Sequence, residues 1–187
     1  MSETSIEGRH EGGLFVEVSS VFIGGPGAVV DAGDRGAALH ITTEETDVIA
    51  RNLTFTGGRA ELGGGVRVDA RAVVTLEDCV VEGNHARQGG ACGAGVRAGE
   101  VHFVRVRFGP NDDVLIKGAC EVEFDSCEIA GNVRIQDGAK VRFVGGNIGG
   151  HLLVTGNPSR VPTVVLDGTE VAMFENDDEF PGHVIGL

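Results

Sequence analysis

One short pattern recurs along this chain and constrains its fold more than any other feature. The segment "VVTLEDCVVEGN" at 73–84 alternates apolar and polar residues, breaks at Glu77-Asp78, resumes, and stops at Gly83-Asn84. The same pattern returns without gaps in "DVIARNLTFTGG", "EVHFVRVRFGPN", "CEVEFDSCEIAGN" and "KVRFVGGNIGGH". Alternation is typical of a half-buried strand, and each break predicts a corner between two strands.

Each repeat contains a third strand upstream of the pattern. The first inward position of the pattern is valine in every copy: Val21, Val48, Val74, Val101, Val122, Val141 and Val164. These anchors follow one another at intervals of 19 to 27 residues, which is the range of a solenoid. The upstream strands are "LHI" 39–41, "VRV" 66–68, "VRA" 96–98, "VLI" 114–116, "VRI" 133–135 and "LLV" 152–154.

Three short strands per repeat, stacked in register, predict an all-β single-stranded parallel β-helix of about seven coils. The variable spacing and the usual hand of parallel crossovers favour the right-handed form. We expect an N-terminal extension at 1–13, the β-helix at 14–171 and an acidic tail or cap at 172–187. Inside the coils, Phe124 is predicted to stack between Phe103 and Phe143.

This repeat resembles known proteins. The chain looks like the right-handed parallel β-helix proteins of the pectate-lyase superfamily over roughly 14–171, and "GGGVRV…VVTLEDCVVEGNHA" resembles the Gly-Gly-Gly and Gly-Asn repeats of polymorphic outer-membrane proteins. That superfamily includes lyases, hydrolases, epimerases, adhesins and inert scaffolds. The resemblance therefore implies a fold and leaves the function open.

Charge and composition limit the partners. The net charge of −13 repels nucleic acids and anionic membranes, so neither is expected as a partner. The segment at 1–13 has no apolar signal region, which predicts a soluble, cytoplasmic protein. The chain has no Trp or Tyr with which to stack on a sugar.

The four cysteines are interpreted as reduced structural thiols. They form no C-x-x-C pair and have no His at ligand spacing, so we expect no metal site and no cofactor. Cys79 and Cys127 share a column two coils apart, which is too far for a disulfide.

The outward side of the upstream strands is the candidate binding face. His40, Arg67, Arg97 and Arg134 are expected there, with Asp69 and Lys117 two positions further along their strands. Long loops at 57–65 and 85–95 are predicted to stand beside this face as a wall, the second one carrying His85 and Arg87. Two interpretations stay open: a surface ladder balanced by carboxylates, or a site for an acidic oligosaccharide.

Catalytic residues are expected only if the chain is an enzyme. Asp112-Asp113 resembles the paired aspartates of pectin-hydrolysing glycosidases, although adjacent side chains diverge in an extended segment, and a turn with solvated carboxylates is the alternative. A lyase would need Arg97 or Lys117 as base, with Asp69 and Asp113 as ligands for Ca²⁺.

Asn84, Asn111 and Asn132 are expected to form one column of hydrogen-bonded turn residues.

The sequence thus leaves two functions to compare. The first is a non-catalytic scaffold that binds a protein partner or self-associates through the strand edges at the ends of the β-helix. The alternative is a carbohydrate-active enzyme, a polysaccharide lyase or glycoside hydrolase acting on an acidic glycan.

Overall fold

A computed structural model describes residues 1–86, 93–157, 159–177, 179 and 181–186. These residues form 25 strands, numbered here in chain order, and no helix. The predicted all-β class is confirmed. Within the same residues there is accordingly no helix of the length and apolarity needed to span a membrane.

The strands pair in parallel and build three faces. The first-strand face contains β3 (Leu14–Val16), β6 (Leu39–Ile41), β10 (Val66–Val68), β14 (Ala94–Val96), β17 (Val114–Lys117), β20 (Val133–Gln136) and the second half of β22 (Asn147–Thr155). The second-strand face contains β1 (Ser2–Ile6), β4 (Ser20–Gly24), β7 (Asp47–Arg51), β11 (Val73–Glu77), β15 (Gly99–Val104), β18 (Cys120–Asp125), β21 (Lys140–Val144), β23 (Thr163–Asp167) and β25 (His183–Ile185).

The third-strand face completes each turn. It contains β2 (Arg9–Glu11), β5 (Val29–Asp31), β8 (Thr54–Thr56), β12 (Val80–Val81), β16 (Arg107–Phe108), β19 (Glu128–Ile129) and the first half of β22. The last strand of this part, β24 (Glu170–Asn176), pairs with β22 along both of its halves. The short strands β9 (Arg59–Ala60) and β13 (His85–Ala86) pair with each other outside the coils.

Together the faces make a parallel β-solenoid of about eight turns, as predicted from the repeat. Paired strands extend beyond the range 14–171 at both ends. In the N-terminal segment β1 pairs with β4 and β2 with β5, while β25 continues the second-strand face.

The interior consists of aligned apolar columns. The valine column is confirmed from Val48 to Val164 and continues to Val184. Its predicted first member was wrong by one residue, because Ser20 pairs with Val48 and Val21 with Ile49. Gly24 explains this register: a Cβ there would collide with the Asn52 carbonyl oxygen, so only glycine fits beside that residue.

The predicted phenylalanine stack is confirmed. The ring of Phe124 lies 4.9 Å from that of Phe103 and 4.8 Å from that of Phe143, with interplanar angles of 16° and 10°. All three side chains are buried. The coils in the middle of the solenoid are therefore held together by ring stacking as well as by area burial.

The break in the repeat is a corner with left-handed backbone. Asn52, Asp78, Arg105 and Ser126 have φ between 52° and 55°, and they occupy the same place in successive coils. Asn and Asp tolerate this conformation better than most residues. The chain turns there from the second-strand face to the third, which is why the alternation stops and restarts.

The described cysteines are buried thiols. Cys79, Cys120 and Cys127 are free, as expected, and Cys92 lies outside the described residues. Burial raises the pKa of Cys79 and Cys120 to about 11 and that of Cys127 to about 12. These three side chains act as small apolar core residues and not as nucleophiles.

Candidate functional site

The outward column of the first-strand face is set by strand register. Because successive parallel strands pair residue by residue, like positions form a line across the face. The line runs through Phe15, His40, Arg67, Gly95, Leu115, Arg134 and Leu153. The structure thus brings His40 and Arg67 side by side, as predicted, and leaves Arg134 further along the same face.

Arg97 is not in this line, so the predicted strand at 96–98 was wrong. Strand β14 spans Ala94–Val96, and its central residue Gly95 pairs with Arg67 and Leu115. A Cβ on residue 95 would lie 2.5 Å from Leu62 Cγ, so the site requires glycine. Arg97 follows the strand, is exposed, and donates its amide to the Val68 carbonyl at 3.0 Å, which places it next to Asp69.

Leu62 also changes the predicted shape of the face. The loop at 57–65 was expected to stand beside the sheet as a wall. Instead the buried Leu62 side chain lies on the outer side of β14, over Gly95. The face is therefore divided into an N-terminal part around His40 and a C-terminal part around Arg134.

The N-terminal part holds a compact cluster around one carboxylate. Asp69 Oδ2 lies 3.1 Å from His40 Nε2 and accepts a 2.5 Å hydrogen bond from Arg67 Nε. The ring of Phe15 meets the His40 ring edge-on at a centroid distance of 5.2 Å and is 59 % exposed. Asp69 Oδ1 is buried and has no hydrogen-bond partner within the described chain.

The C-terminal part is organised by ion pairing. Lys117 Nζ lies 3.2 Å from Asp137 Oδ2, and Asn157 Nδ2 donates to Asp137 Oδ1 at 2.9 Å. The hydrogen bond from Asn157, followed by the contact with Lys117, lowers the pKa of Asp137. Lys117 therefore neutralises a neighbouring carboxylate, which is a structural duty.

Asp112 is not a solvated turn residue, which corrects that alternative. Its side chain is 1 % exposed. Oδ1 accepts hydrogen bonds from Asn84 N at 3.1 Å and from Asn84 Nδ2 at 2.9 Å. Oδ2 accepts one from Gly83 N at 2.9 Å. Burial raises the pKa of Asp112, and these hydrogen bonds oppose the rise.

Asp113 stabilises the turn of the next coil, because its Oδ1 accepts hydrogen bonds from Asn132 N at 2.8 Å and from Asn132 Nδ2 at 3.1 Å.

The column of turn residues is consequently shifted from the prediction. Asn84 Oδ1 accepts a hydrogen bond from Gly58 N, and Asn132 Oδ1 accepts one from His151 N. Both Asn side chains are thus hydrogen-bonded turn residues, as the sequence indicated. Between them the column contains Asp112 and Asp113 instead of Asn111. The tight turn closed by the Asp112 N to Gly109 O hydrogen bond, 3.0 Å long, moves the chain forward by one residue.

The second long loop is described only in part. His85 belongs to β13, pairs with Arg59 of β9 and is exposed. Arg87 lies outside the described residues, as does Cys92, so their predicted roles remain predictions. The two loops are thus joined to each other by strand pairing at their first residues.

A charged groove on the second-strand face was missed by the sequence analysis. Its volume is about 330 Å³, and charges of opposite sign meet across successive coils. The pairs across coils are Lys140 with Glu121, and Arg142 with Glu123 and Asp167, at 2.6 to 3.5 Å, while His102 Nε2 contacts Glu100 on its own strand at 3.0 Å. The signal was present in the outward positions of the aligned repeats, where Glu121 and Glu123 precede Lys140 and Arg142 in the same columns.

Among the described residues, His, Cys, Asp and Glu form no group of three that could hold a metal ion. The acids proposed as calcium ligands, Asp69 and Asp113, belong to different clusters. Comparisons with protein-family models, curated proteins and solved structures found no match for this chain.

Proposed function

We propose that this chain is a non-catalytic interaction or assembly scaffold, built on a β-helix of the right-handed pectate-lyase-like kind. The observation that carries the proposal is that three of the four candidate catalytic residues already have structural duties. Asp112 and Asp113 hold turns, Lys117 pairs with Asp137, and Arg97 stands outside the expected line. No two of these groups meet as an acid and a base around a reacting atom.

The strand edges supply the positive support. Within the described residues, β1, β2 and β3 at one end, and β24 and β25 at the other, each pair with a single neighbour. Unpaired backbone groups on such edges are templates for another strand. A solenoid with two available ends suits binding and assembly.

A second candidate function rests on the cluster of Phe15, His40, Arg67 and Asp69. An exposed ring beside an arginine can hold a sugar acid by stacking and by a charge-assisted hydrogen bond. In this alternative the chain is a carbohydrate-active protein that uses the N-terminal part of the first-strand face.

Incubation with a panel of acidic polysaccharides separates the two candidates. The scaffold proposal predicts no product from any of them, and no rise in the melting temperature with polyuronate fragments. A bound fragment at a hundred times its Kd would add about 2.7 kcal/mol to the free energy of unfolding.

Arg67→Ala identifies the source of any such rise, and the matched control is Arg107→Ala, whose arginine pairs with Glu82 on another face. A thermal shift that is lost in Arg67→Ala and kept in the control would establish the sugar site. Product formation that is also lost in Arg67→Ala would contradict the scaffold proposal.

A further inference from the structure

The two ends of the solenoid differ in polarity. In the first coil the inward positions of β1 and β2 hold Ser2, Thr4 and His10, which are exposed, and Ile6, which is buried. In the last coil the inward positions of β24 and β25 hold Val171, Phe174 and Val184, which continue the columns of Ile148, Leu152 and Val164 and are only partly buried. The last inward position of β24 is the polar Asn176, which follows Val154. The N-terminal end is thus covered by polar side chains, as terminal repeats of solenoids usually are. The C-terminal end presents an apolar row.

The apolar row at the C-terminal end belongs to an acidic part of the sequence. Residues 161–187 contain six Asp and Glu and no Lys or Arg. Glu170 and Glu175 lie on β24 itself, pointing outward beside Val171 and Phe174, and both are exposed. The strand therefore offers apolar and acidic positions along an edge that has no second partner strand among the described residues.

This charge pattern disfavours a second copy of the chain as the occupant. Two C-terminal ends would bring acidic rims together, and like charges at an interface cost several kcal/mol. The N-terminal end of a second copy is also disfavoured as the occupant, because residues 1–19 contain four Glu and one Arg. That arginine, Arg9, is already paired with Asp31. An occupant with positive charge complements the edge.

We infer that the β24 edge docks an extended segment of a partner protein with the order basic-apolar-x-x-apolar-basic, which matches Glu170, Val171, Phe174 and Glu175 across the irregularity of the strand. The inference rests on the proposed scaffold function and names its partner chemistry. Backbone hydrogen bonds to the unpaired edge supply affinity, as in other cases of strand addition. Apolar side chains of the segment cover Val171 and Phe174, and its Lys or Arg side chains face Glu170 and Glu175.

A defined peptide tests the inference on the full chain. The probe is a fluorescently labelled nine-residue peptide whose central six residues are Lys-Val-Gly-Ser-Val-Lys, the order that matches β24, and binding is followed by anisotropy. A peptide with glutamate in place of lysine should not bind, nor should one with proline in place of valine, which loses the apolar side chains and backbone donors. Binding of the lysine peptide should weaken with salt, because the acidic positions are exposed.

Charge reversal locates the site. The double variant Glu170→Lys, Glu175→Lys should bind the lysine peptide about tenfold or more weakly, because two attractive contacts become repulsive. The matched control is Glu3→Lys with Glu17→Lys, which changes the net charge equally at the opposite end and should leave affinity within about twofold. Equal weakening by both pairs would show a general charge effect and overturn the inference.

Hydrogen exchange provides a readout that does not depend on charge. Amides of Glu170–Asn176 should exchange more slowly in the presence of the lysine peptide, while those of the N-terminal strands should not change. Peptide binding without this protection would overturn the inference. If the amides become protected with rising protein concentration alone, the occupant is a second copy: the inference fails, and the scaffold proposal stands. Product formation from glycans would instead contradict the scaffold proposal.

Discussion

Phe124 shows how one residue can anchor the stack. Its ring lies between two parallel rings, so its removal leaves a cavity with neighbours on both sides. Phe124→Ala should lower the free energy of unfolding by about 3–5 kcal/mol in a reversible denaturant melt. A loss below about 1 kcal/mol would contradict the burial of this ring in the middle of the column.

Asp112 gives a pH dependence whose sign can be tested. Its pKa is raised above the ordinary value of 3.8, chiefly by burial, so the folded state binds this proton more tightly than the unfolded state. The stabilising contribution of the proton is full below the ordinary pKa. It is lost as pH rises through the folded-state pKa.

The comparison variant is Asp112→Asn, which does not titrate. Relative to this variant, the unfolding free energy of the wild type should decrease as pH is raised from about 3 upward, and urea melts across the acidic range measure the difference. The lost hydrogen bonds of the variant shift the whole curve without changing its slope. An increase with pH would mean that the hydrogen bonds from Gly83 and Asn84 outweigh burial.

At the scale of elements, the contact between β14 and the loop at 57–65 decides the shape of the first-strand face. Gly95→Ala should cost about 1–3 kcal/mol, because the new methyl group meets Leu62 and forces the loop to move. In a Leu62→Ala background the same change should cost much less. Urea melts of the four proteins in this double-mutant cycle measure the coupling, and additive effects would show that Leu62 does not pack on residue 95.

The elements also show where sequence patterns are sufficient and where they are not. The strands β7, β11, β15, β18 and β21 were predicted with their inward valines, because alternation reports which face is buried. The strand β14 was misplaced by two residues, since "VRA" and "AGV" both fit an alternating strand. Leu62, more than thirty residues away, selects the second of them by requiring glycine at 95.

For the whole molecule, net charge and end polarity act together. A charge of −13 repels other copies of the chain and attracts basic molecules, and the solenoid places the exposed Glu170 and Glu175 beside the apolar row at its C-terminal end. In the body of the stack the ion pairs link successive coils, as Arg105 does with Glu77 and Asp78 at 2.7 Å. Function is therefore expected at the ends of the stack.

The sequence by itself determined the repeat, the parallel β-solenoid, the corners and most of the core columns, because each depends on a short alternating pattern and on its recurrence every 19 to 27 residues. The tertiary structure alone decided which side chains share a site. Asp112 is buried because Gly83 and Asn84 of the preceding coil donate to it, and Asp69 joins His40 and Arg67 across neighbouring strands. The different lengths of the loops determine which side chains come together, because one added residue exchanges the inward and outward sides of a strand.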